Sequence, residues 1–403
     1  MAEKDIDRAS LEERRAYQER WAAELVAHAY DSAPAMRERI PAREAPLERV
    51  RITRKDELVA LQRAAPPFGG FLAAPMTEVA RVFLSPGPLF DPQGTSPDHW
   101  RWAPALRAAG FAPGMVVHCA VSYHGTPLGW MFDGALRALG CTVIPAGTGN
   151  TELQVQMVRG TRADGFVGTP SGLRILYEKA AELGLDPRGD LAIRRAFVAG
   201  EMLAPSLRPE LESFGTTVCQ GYGTADLGCL AYECLERDGM HVPADAIVDI
   251  VDPRTGEAMP RGEIGEVVAT VNERTYPLVR FGTGDLSLFM TEPCRCGRTA
   301  PRLRRIVGRV GDAVKVRGMF VHPKQVEEVV GRQAEGARTQ LVVTRTGVRD
   351  DLEILVWAPA LTDDALPALA ATLHEVIKVR PTVRRVDDLA PDAPKVRDLR
   401  RWD

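Results

Sequence analysis

Apolar and polar positions follow a helical spacing at the start of the chain. Between residues 10 and 30, apolar side chains recur every three or four positions among charged ones, which is typical of an amphipathic helix. Ser10 precedes this stretch and Glu13 follows three positions later, which is the residue pair of a capping box. We therefore predict an opening helix that begins directly after Ser10.

Short apolar runs then alternate with helix-length stretches through the middle of the chain. The runs lie at residues 115–121, 142–145, 165–167, 195–198 and 216–219. Strands that alternate with helices pair in parallel, and ligands bind beyond the carboxyl ends of such strands. Glycine-rich or polar turns follow several runs, at residues 122–125, 147–150, 200–201 and 221–224. These turns are candidates for a ligand site.

The last third of the chain has a different pattern. After residue 240 short strand-like segments alternate with turns, which predicts a β-rich subdomain at about residues 230–307. Further on, Pro323 marks the first turn of a helix, and the apolar runs at 339–344 and 352–357 predict a hairpin.

These elements predict two domains. The first is a large α/β domain of mostly parallel sheets at residues 1–307, which includes the β-rich subdomain. The second is a small α+β domain at residues 308–403. A chain of 403 residues exceeds the size of one typical core, which agrees with this division.

The charge balance narrows the class of protein. Lys and Arg total 51 against 54 Asp and Glu, and the net charge of −3 provides no field that would recruit nucleic acid or an anionic membrane. The N-terminus is charged, and no apolar run reaches the roughly 18 residues that a membrane helix needs. Seven cysteines are too few for a secreted disulfide scaffold. The sequence predicts a cytoplasmic protein without nucleic-acid or membrane partners.

Four metal-binding side chains fall in two tight pairs. Cys234 and His241 form one pair, and Cys294 and Cys296 form the other. Three thiolates and one imidazole make a closed tetrahedral set, which structural zinc prefers, and zinc can link segments that are distant in sequence. The alternative is that these are buried or incidental cysteines. The pairing favours a structural zinc ion.

A glycine-rich turn ends at an acidic residue in the run YPLVRFGTGD, residues 276–285. A carboxylate held by such a turn suits hydrogen bonding to the two hydroxyls of a ribose. Taken alone, Asp285 is better explained by an Asx turn that ends a strand, since Gly-Asp turns are common. The segments GR at 308–309 and KVRG at 315–318 follow, and Lys395 lies near the C-terminus.

In this order, these residues resemble the phenylacetate-CoA ligase family of adenylate-forming enzymes. Further matching segments are PFGG at 67–70, GCTVIP at 140–145, GNTE at 149–152, YGTAD at 222–226, AYEC at 231–234, CGR at 296–298 and VHPKQVEE at 321–328. The resemblance covers nearly the whole chain. It implies the adenylate-forming architecture, in which a small C-terminal domain acts as a mobile lid, and it also implies a homodimer.

The resemblance also implies a reaction in two steps. A carboxylate attacks the α-phosphate of ATP, and the thiol of CoA then attacks the acyl-adenylate. ATP or AMP, magnesium, CoA and an aromatic acid or its CoA thioester are the expected ligands. The implied nucleotide contacts are Gly200, Glu201, Tyr222, Gly223, Thr224, Asp285 and Arg309.

Individual roles follow from the same resemblance. Tyr222 would stack on the adenine, Asp285 would hold the ribose, and Arg309 would lie at the hinge between the domains. Lys395 would be the adenylation lysine, a compact cation that neutralises charge developing at the α-phosphate, and the alternative is a solvated lysine in the tail. Asp226 stands where the family has a magnesium-binding glutamate.

The acid pocket is expected at Tyr123, His124 and Gly125. Tyr123 would flank an aromatic ring. His124 is a candidate catalytic residue that would meet the substrate carboxylate or a polar ring substituent, and the alternative is a hydrogen-bonded structural residue. Cys229 is a candidate nucleophile, although no neighbouring base is visible in the sequence and packing is the favoured role.

One segment departs from the family pattern. The family's phosphate-binding loop combines several hydroxyls and a lysine with backbone amides, whereas this chain retains only Ser85 and Gly87 at residues 83–94. Prolines at positions 86, 88 and 92 remove amide donors. We expect Asp91 to add a negative charge that repels a triphosphate. The losses fall on the contacts to the β- and γ-phosphates.

The sequence is therefore compatible with three hypotheses, two of them enzyme activities and one a non-catalytic role. The leading hypothesis is an ATP-dependent ligase that joins an aryl or arylacetic acid to CoA. The alternative is an acyltransferase that has lost the ATP step and moves an acyl group from CoA to the thiol of an acyl carrier protein. A ligand sensor on a retired enzyme scaffold is the least favoured, since Asp285 and Lys395 would then have no reason to persist together.

Overall fold

The computed structural model describes residues 6–85, 87–253, 255–306, 308–310, 314–317, 319–321, 323–347 and 349–400. Pro86 and Gly318, which the sequence singles out, lie outside these residues. The chain forms two compact units, Met1–Gly308 and Arg309–Asp403.

The described part of the first unit contains these helices in chain order: α1 Leu11–Ser32, α2 Pro34–Arg37, α3 Lys55–Ala64, α4 Ala103–Ala108, α5 Leu128–Ala138, α6 Thr151–Thr161, α7 Pro170–Glu182, α8 Pro187–Asp190 and α9 Leu207–Glu212. The second unit adds α10 Pro323–Gln333 and α11 Leu366–Ile377. No helix in the described residues is both long and apolar enough to cross a membrane.

The strands of the first unit are β1 Thr53–Arg54, β2 Arg81–Ser85, β3 Leu89–Gln93, β4 Val116–Cys119, β5 Thr142–Ile144, β6 Gly165–Gly168, β7 Arg195–Val198, β8 Thr217–Thr224, β9 Gly228–Tyr232, β10 Met240–His241, β11 Ala246–Val251, β12 Gly265–Val271, β13 Phe281–Ser287 and β14 Arg302–Leu303. Strand β15, Gly308–Arg309, lies where one unit passes into the next. The second unit has β16 Val314–Val316, β17 Met319–Val321, β18 Arg338–Thr346, β19 Arg349–Trp357, β20 Thr382–Arg385 and β21 Val396–Asp398.

Two sheets and a hairpin organise the first unit. Across the described residues one sheet has the order β14-β10-β9-β8-β7-β6-β4-β5. Its neighbouring strands β8, β7, β6, β4 and β5 are parallel. A second sheet has the order β1-β13-β12-β11 and is mostly antiparallel. Strands β2 and β3 form a separate antiparallel hairpin. The predicted class, an α/β domain with a β-rich part, is confirmed.

Helices cover both faces of the parallel strands. Val167 and Phe197 pack on one face in a cluster that includes residues of α4 and α5. Their strand neighbours Phe166 and Ala196 pack on the other face with residues of α6 and α7. Because successive strand residues point to opposite faces, near-continuous apolar runs such as these are expected where both faces are buried.

The opening helix begins where the sequence predicts. The Oγ of Ser10 accepts a hydrogen bond from the Glu13 backbone at 3.2 Å, and the Glu13 carboxylate accepts one from the Ser10 backbone at 3.0 Å. This reciprocal pair satisfies two amide donors that the first turn of a helix leaves without partners.

The turn expected at residues 221–224 is wrong, because these residues continue strand β8 and pair with β9. Glycine is needed here because neighbouring groups leave no room for a side chain. A Cβ on Gly221 would stand 2.6 Å from the Phe197 ring and 2.7 Å from the Trp102 ring. Glycine in a strand often marks such a close approach, so its presence alone does not indicate a turn.

The second unit is a small α+β fold. Its sheet has the order β20-β19-β18-β21 across the described residues, with β18 and β19 forming the predicted hairpin. Apolar residues of α10 and α11 pack with the sheet in one buried cluster.

Candidate active site

Most of the residues expected to contact a ligand lie at one edge of the large sheet. Strands β6, β7 and β8 run in parallel and in register there, since Gly168 pairs with Val198 and Val198 pairs with Gln220. Gly200 and Glu201 lie just after β7, which ends at Val198, and the predicted pocket loop at 122–125 follows β4. Ligands of open α/β sheets bind at this edge.

The loop after β7 is fixed by its neighbours. Gly200 has a φ of 81°, which favours glycine, and a Cβ there would meet its nearest atoms only at 3.7 Å. The Ser171 hydroxyl at the start of α7 donates to Glu201 Oε2 at 2.6 Å. Thr169 caps the same helix by accepting from the Gly172 amide at 3.0 Å. At Gly200 it is therefore the positive φ that favours glycine, since a Cβ would make only ordinary contacts with Leu128 and Thr169.

Tyr222 and Asp285 are brought together from the two sheets. The Tyr222 hydroxyl donates to Asp285 Oδ2 at 2.9 Å, and its oxygen lies 3.1 Å from the Thr283 hydroxyl oxygen. The Asp285 backbone N–H donates to the same Thr283 oxygen at 3.1 Å. Asp285 is only 5% exposed, so its carboxylate is held in one position by these contacts. The sequence did not single out Thr283, which supports both residues.

Gly223 has a packing role in this arrangement. We expect Gly223→Ala to destabilise the protein by about 3 kcal/mol, since overpacking of a filled site costs this much. A Cβ there would lie 2.2 Å from the Gly228 carbonyl oxygen. Gly160→Ala, in helix α6 with no atom within 4 Å of the added carbon, is the matched control and should stabilise by up to about 1 kcal/mol. Urea unfolding measures both, and equal stabilities would contradict this account.

The predicted pocket loop packs on helix α5. The Trp130 indole donates to the Tyr123 carbonyl at 3.2 Å, and the two rings meet edge to face at 5.5 Å. A Cβ on Gly129 would lie 2.7 Å from Ser122 O and from Tyr123 Cγ, so glycine allows the loop to approach the helix. Burial, and then the neighbouring Cys119, raise the pKa of Tyr123, which therefore stays protonated. His124 and Gly125 are exposed.

Asp226 lies in a cluster of charged groups that the sequence did not reveal. Lys55 Nζ, at the first residue of α3, is 2.9 Å from Asp226 Oδ2, and the Asp226 side chain is fully buried. Asp226 lies two residues after the end of strand β8, in a turn where the Thr224 hydroxyl accepts from the Leu227 amide at 3.1 Å.

The expectation that Asp91 repels a triphosphate with its charge is wrong. Asp91 is only 3% exposed, on strand β3 of the hairpin. Burial, and then the charge of Asp226, raise the pKa of Asp91 to about 8. A carboxyl with this pKa is mostly protonated at neutral pH.

The four predicted metal ligands converge. One donor atom from each of Cys234, His241, Cys294 and Cys296 lies within 4.8 Å of every other. The Sγ atoms of Cys234 and Cys294 are 3.8 Å apart, and Cys296 Sγ is 3.4 Å from His241 Nε2. Two sulfurs bound to one tetrahedral zinc ion at about 2.3 Å would stand about 3.8 Å apart. The donor set therefore fits a zinc ion in composition and in spacing.

The second unit begins at Arg309 and contains Lys395. Lys395 Nζ is 2.7 Å from Glu327 Oε1 of α10, and the side chain is 41% exposed. The Lys395 carbonyl accepts from the Leu341 amide at 2.9 Å, which fixes the backbone of the lysine to strand β18.

Cys229 is not built as a nucleophile. Its side chain is fully buried, and burial, followed by the charge of Asp98, raises its pKa well above the ordinary value.

We expect iodoacetamide at pH 8 to leave Cys229 unmodified in the folded protein, as read by peptide mass mapping, because the thiolate is the reactive form. Cys229→Ala should keep its activity within about twofold, since no step uses this thiol. Selective labelling of Cys229 together with loss of activity would contradict this.

Comparison with known proteins agrees with this geometry. Residues 103–272 match the family described as AMP-binding enzyme. Phenylacetate-coenzyme A ligase of Thermus thermophilus is 33% identical over 379 residues, which cover 88% of this chain and 84% of the relative. The enzyme of the same name from Escherichia coli is 32% identical over 381 residues, with 87% and 84% covered.

A solved structure is also similar. 2-Hydroxyisobutyryl-CoA ligase in complex with 2-HIB-AMP and CoA superposes with a TM-score of 0.87 at 26% identity, over 97% of this chain and 91% of that chain. The level and extent of identity to the curated relatives place the sequence within a single family. The chain belongs to the phenylacetate-coenzyme A ligase family of adenylate-forming enzymes.

Proposed function

We propose that this protein is an acid–thiol ligase that forms an acyl-CoA from a carboxylic acid, ATP and CoA through an acyl-adenylate. In the first step a carboxylate oxygen bonds to the α-phosphorus of ATP and pyrophosphate leaves. In the second step the CoA sulfur bonds to the acyl carbon and AMP leaves. The observation that carries the proposal is the Tyr222–Asp285 pair at the ligand edge of the sheet, in a chain of this family.

The geometry supports a nucleotide role for that pair. The Asp285 carboxylate has the acceptor atoms that a ribose diol requires, and the Tyr222 contact holds it in place before any ligand arrives. Preorganised groups bind without the cost of ordering side chains. Gly200 and Glu201 would lie along the base, and Arg309 at the hinge.

Lys395 would supply the positive charge at the reacting phosphate. Its ammonium forms an ion pair with Glu327, so the side chain keeps a carboxylate partner within its own unit. A compact cation of this kind stabilises charge that develops on the α-phosphate during attack.

Magnesium is implied by the family, and Asp226 is the residue that would hold it. Its Oδ1 atom is buried without a hydrogen-bond partner among the described residues, and a carboxylate oxygen is a ligand that magnesium prefers. A bound magnesium ion would offset phosphate charge.

We propose an aromatic or arylacetic acid as the substrate. Support comes from the loop after β4, where Tyr123 presents a protonated phenol beside Trp130 and His124 lies next to it on the exposed side. Aromatic rings favour edge-to-face contact with a further ring. His124 stays a prediction for the group that meets the carboxylate.

We further propose that Cys234, His241, Cys294 and Cys296 bind one structural zinc ion. With all four positions taken by protein ligands, the ion would have no open site for chemistry and would tie together segments that are 60 residues apart.

The comparisons favour the ligase over the ATP-independent acyltransferase. An acyl carrier protein as acceptor, a homodimer and a cytoplasmic location stay predictions.

The test is thioester formation by the purified protein with a panel of aromatic acids, CoA and magnesium, with and without ATP, read by mass spectrometry. Acyl-CoA that forms only with ATP, together with AMP, is the expected result. Acyl transfer from an acyl-CoA to a carrier protein without ATP, and no product from free acids, would support the acyltransferase instead.

A further inference from the structure

The hairpin that replaces the family's phosphate-binding loop lacks a cation at its turn. Between Ser85 and Leu89 the sequence reads Pro-Gly-Pro, without a lysine or arginine. The one basic residue in its strands, Arg81, stacks on the Trp130 ring at 4.2 Å near the opposite end of the hairpin. A bound triphosphate needs positive charge or amide donors, and prolines supply neither.

Helix α3 brings a lysine to this turn. The Gln62 side chain donates to the Phe90 carbonyl at 2.9 Å and accepts from the Phe90 amide at 2.7 Å, which fixes the helix to strand β3. Lys55 is the first residue of the same helix. A Cβ on Gly87, in the turn, would lie 3.7 Å from Lys55 Cε. The lysine stem therefore lies against the turn of the hairpin.

The ammonium group is held at the same place by acidic side chains. Lys55 Nζ is 2.9 Å from Asp226 Oδ2, and the lysine side chain is 30% exposed whereas the aspartate is fully buried. Asp226 Oδ1 and Asp91 Oδ2 are buried without hydrogen-bond partners among the described residues. Lys55 is thus a cation poised between a buried acidic cluster and solvent, beside the position expected for magnesium.

We propose that Lys55 binds the β- and γ-phosphates of ATP and so replaces, from a different element, the lysine that the hairpin lacks. This inference rests on the proposed ligase function. Without nucleotide, Lys55 pairs with Asp226, and with ATP bound its ammonium contacts the outer phosphates. When the acid oxygen bonds to the α-phosphorus, the bond to the bridging oxygen breaks and its electron pair leaves with pyrophosphate. Lys55 stabilises that leaving charge.

The second half-reaction should not depend on Lys55. Pyrophosphate has left by then, so attack of the CoA thiol on the acyl-adenylate gains nothing from Lys55. A phosphate-binding role therefore predicts loss in one half-reaction only. A purely structural role, in which Lys55 neutralises the buried Asp226, predicts losses in both half-reactions together with a lower melting temperature.

The experiment compares both half-reactions in Lys55→Met, which keeps the stem and removes the charge. ATP–pyrophosphate exchange with the preferred acid should show kcat/KM for ATP reduced about 100-fold. Thioester formation from synthetic acyl-adenylate and CoA should stay within about twofold of the wild type, since the proposed contact is absent from that step. Lys55→Arg retains the charge, and its kcat/KM for ATP in the exchange should be at least about ten times that of Lys55→Met.

Arg208→Met is the matched control for the loss of a buried ion pair. Arg208 Nη2 lies 2.7 Å from the buried carboxylate of Glu233, and Arg208 Nη1 donates to the Val218 carbonyl of strand β8 at 2.7 Å. It should lower the melting temperature and leave the KM for ATP within about twofold, because a lost ion pair acts on stability.

The outcomes separate the two proposals. An unchanged kcat/KM for ATP in Lys55→Met, or equal losses in both half-reactions, overturns the role of Lys55 and leaves the ligase intact. Wild-type protein that neither exchanges pyrophosphate with any acid nor uses acyl-adenylate overturns the ligase itself. If Lys55→Met does not fold, Lys55→Gln decides, since it keeps a polar side chain and removes the charge: a raised KM for ATP with a normal second step supports the proposal, and a wild-type KM overturns it.

Discussion

Lys395→Ala should lower the rate of adenylate formation by about 100- to 1,000-fold, the loss typical of removing one group that stabilises transition-state charge. The side chain is 41% exposed and its ammonium pairs with Glu327, so its removal should cost little stability. The measurement is acid-dependent ATP–pyrophosphate exchange at saturating ATP, with circular dichroism to verify folding.

Two variants make this test specific. Lys395→Arg keeps the charge but spreads it over a planar group, and we expect it to recover only part of the rate. Lys179→Ala, which removes a half-exposed lysine that pairs with Glu182 on α7, is the control and should exchange at the wild-type rate. If Lys395→Ala exchanged as fast as this control, Lys395 would have no role in adenylation.

Loss of a residue of the proposed zinc site should give the largest effect on stability. We expect Cys294→Ser to remove the metal and to destabilise the protein by about 4 kcal/mol or more, as loss of a structural metal does. The reason is that the cluster joins the segment at Cys234 to the loop at Cys294, 60 residues further on. Elemental analysis should find one zinc ion per chain in the wild type and none in the variant, and thermal unfolding measures the loss.

Cys141→Ser is the control, since this cysteine is also buried but lies outside the cluster, where its thiol donates to the Ala112 carbonyl at 3.3 Å. It should retain a full zinc content. Wild-type protein purified without zinc, and with a melting temperature that chelators do not change, would contradict the assignment.

The sequence was most informative where the signal is local. Ser10 and Glu13 are three residues apart, so a capping box can be recognised without knowledge of the fold. Parallel strands were equally predictable, because burial on both faces leaves continuous apolar runs such as residues 165–168. The family resemblance then linked Tyr222 to Asp285, which lie 63 residues apart and which no periodicity connects.

Contacts between residues that are far apart in the sequence could not be predicted from it. Lys55 is 171 residues from Asp226, and nothing near position 55 indicates a carboxylate partner. The charge state of Asp91 was predicted wrongly because it depends on burial, which the hairpin sequence does not reveal. Gly221 and Gly223 were taken for turn residues, whereas their positions beside Trp102 and Gly228 require the absence of a side chain.

The central claim is that the acid is activated by direct attack on the α-phosphate of ATP. Its most direct test uses an aromatic acid labelled with ¹⁸O in its carboxylate, together with ATP, CoA and the wild-type protein, and determines by mass spectrometry where the label goes. The account predicts one ¹⁸O atom in AMP for each acyl-CoA formed. Label in inorganic phosphate with formation of ADP, or acyl-CoA formed without labelled AMP, would contradict it.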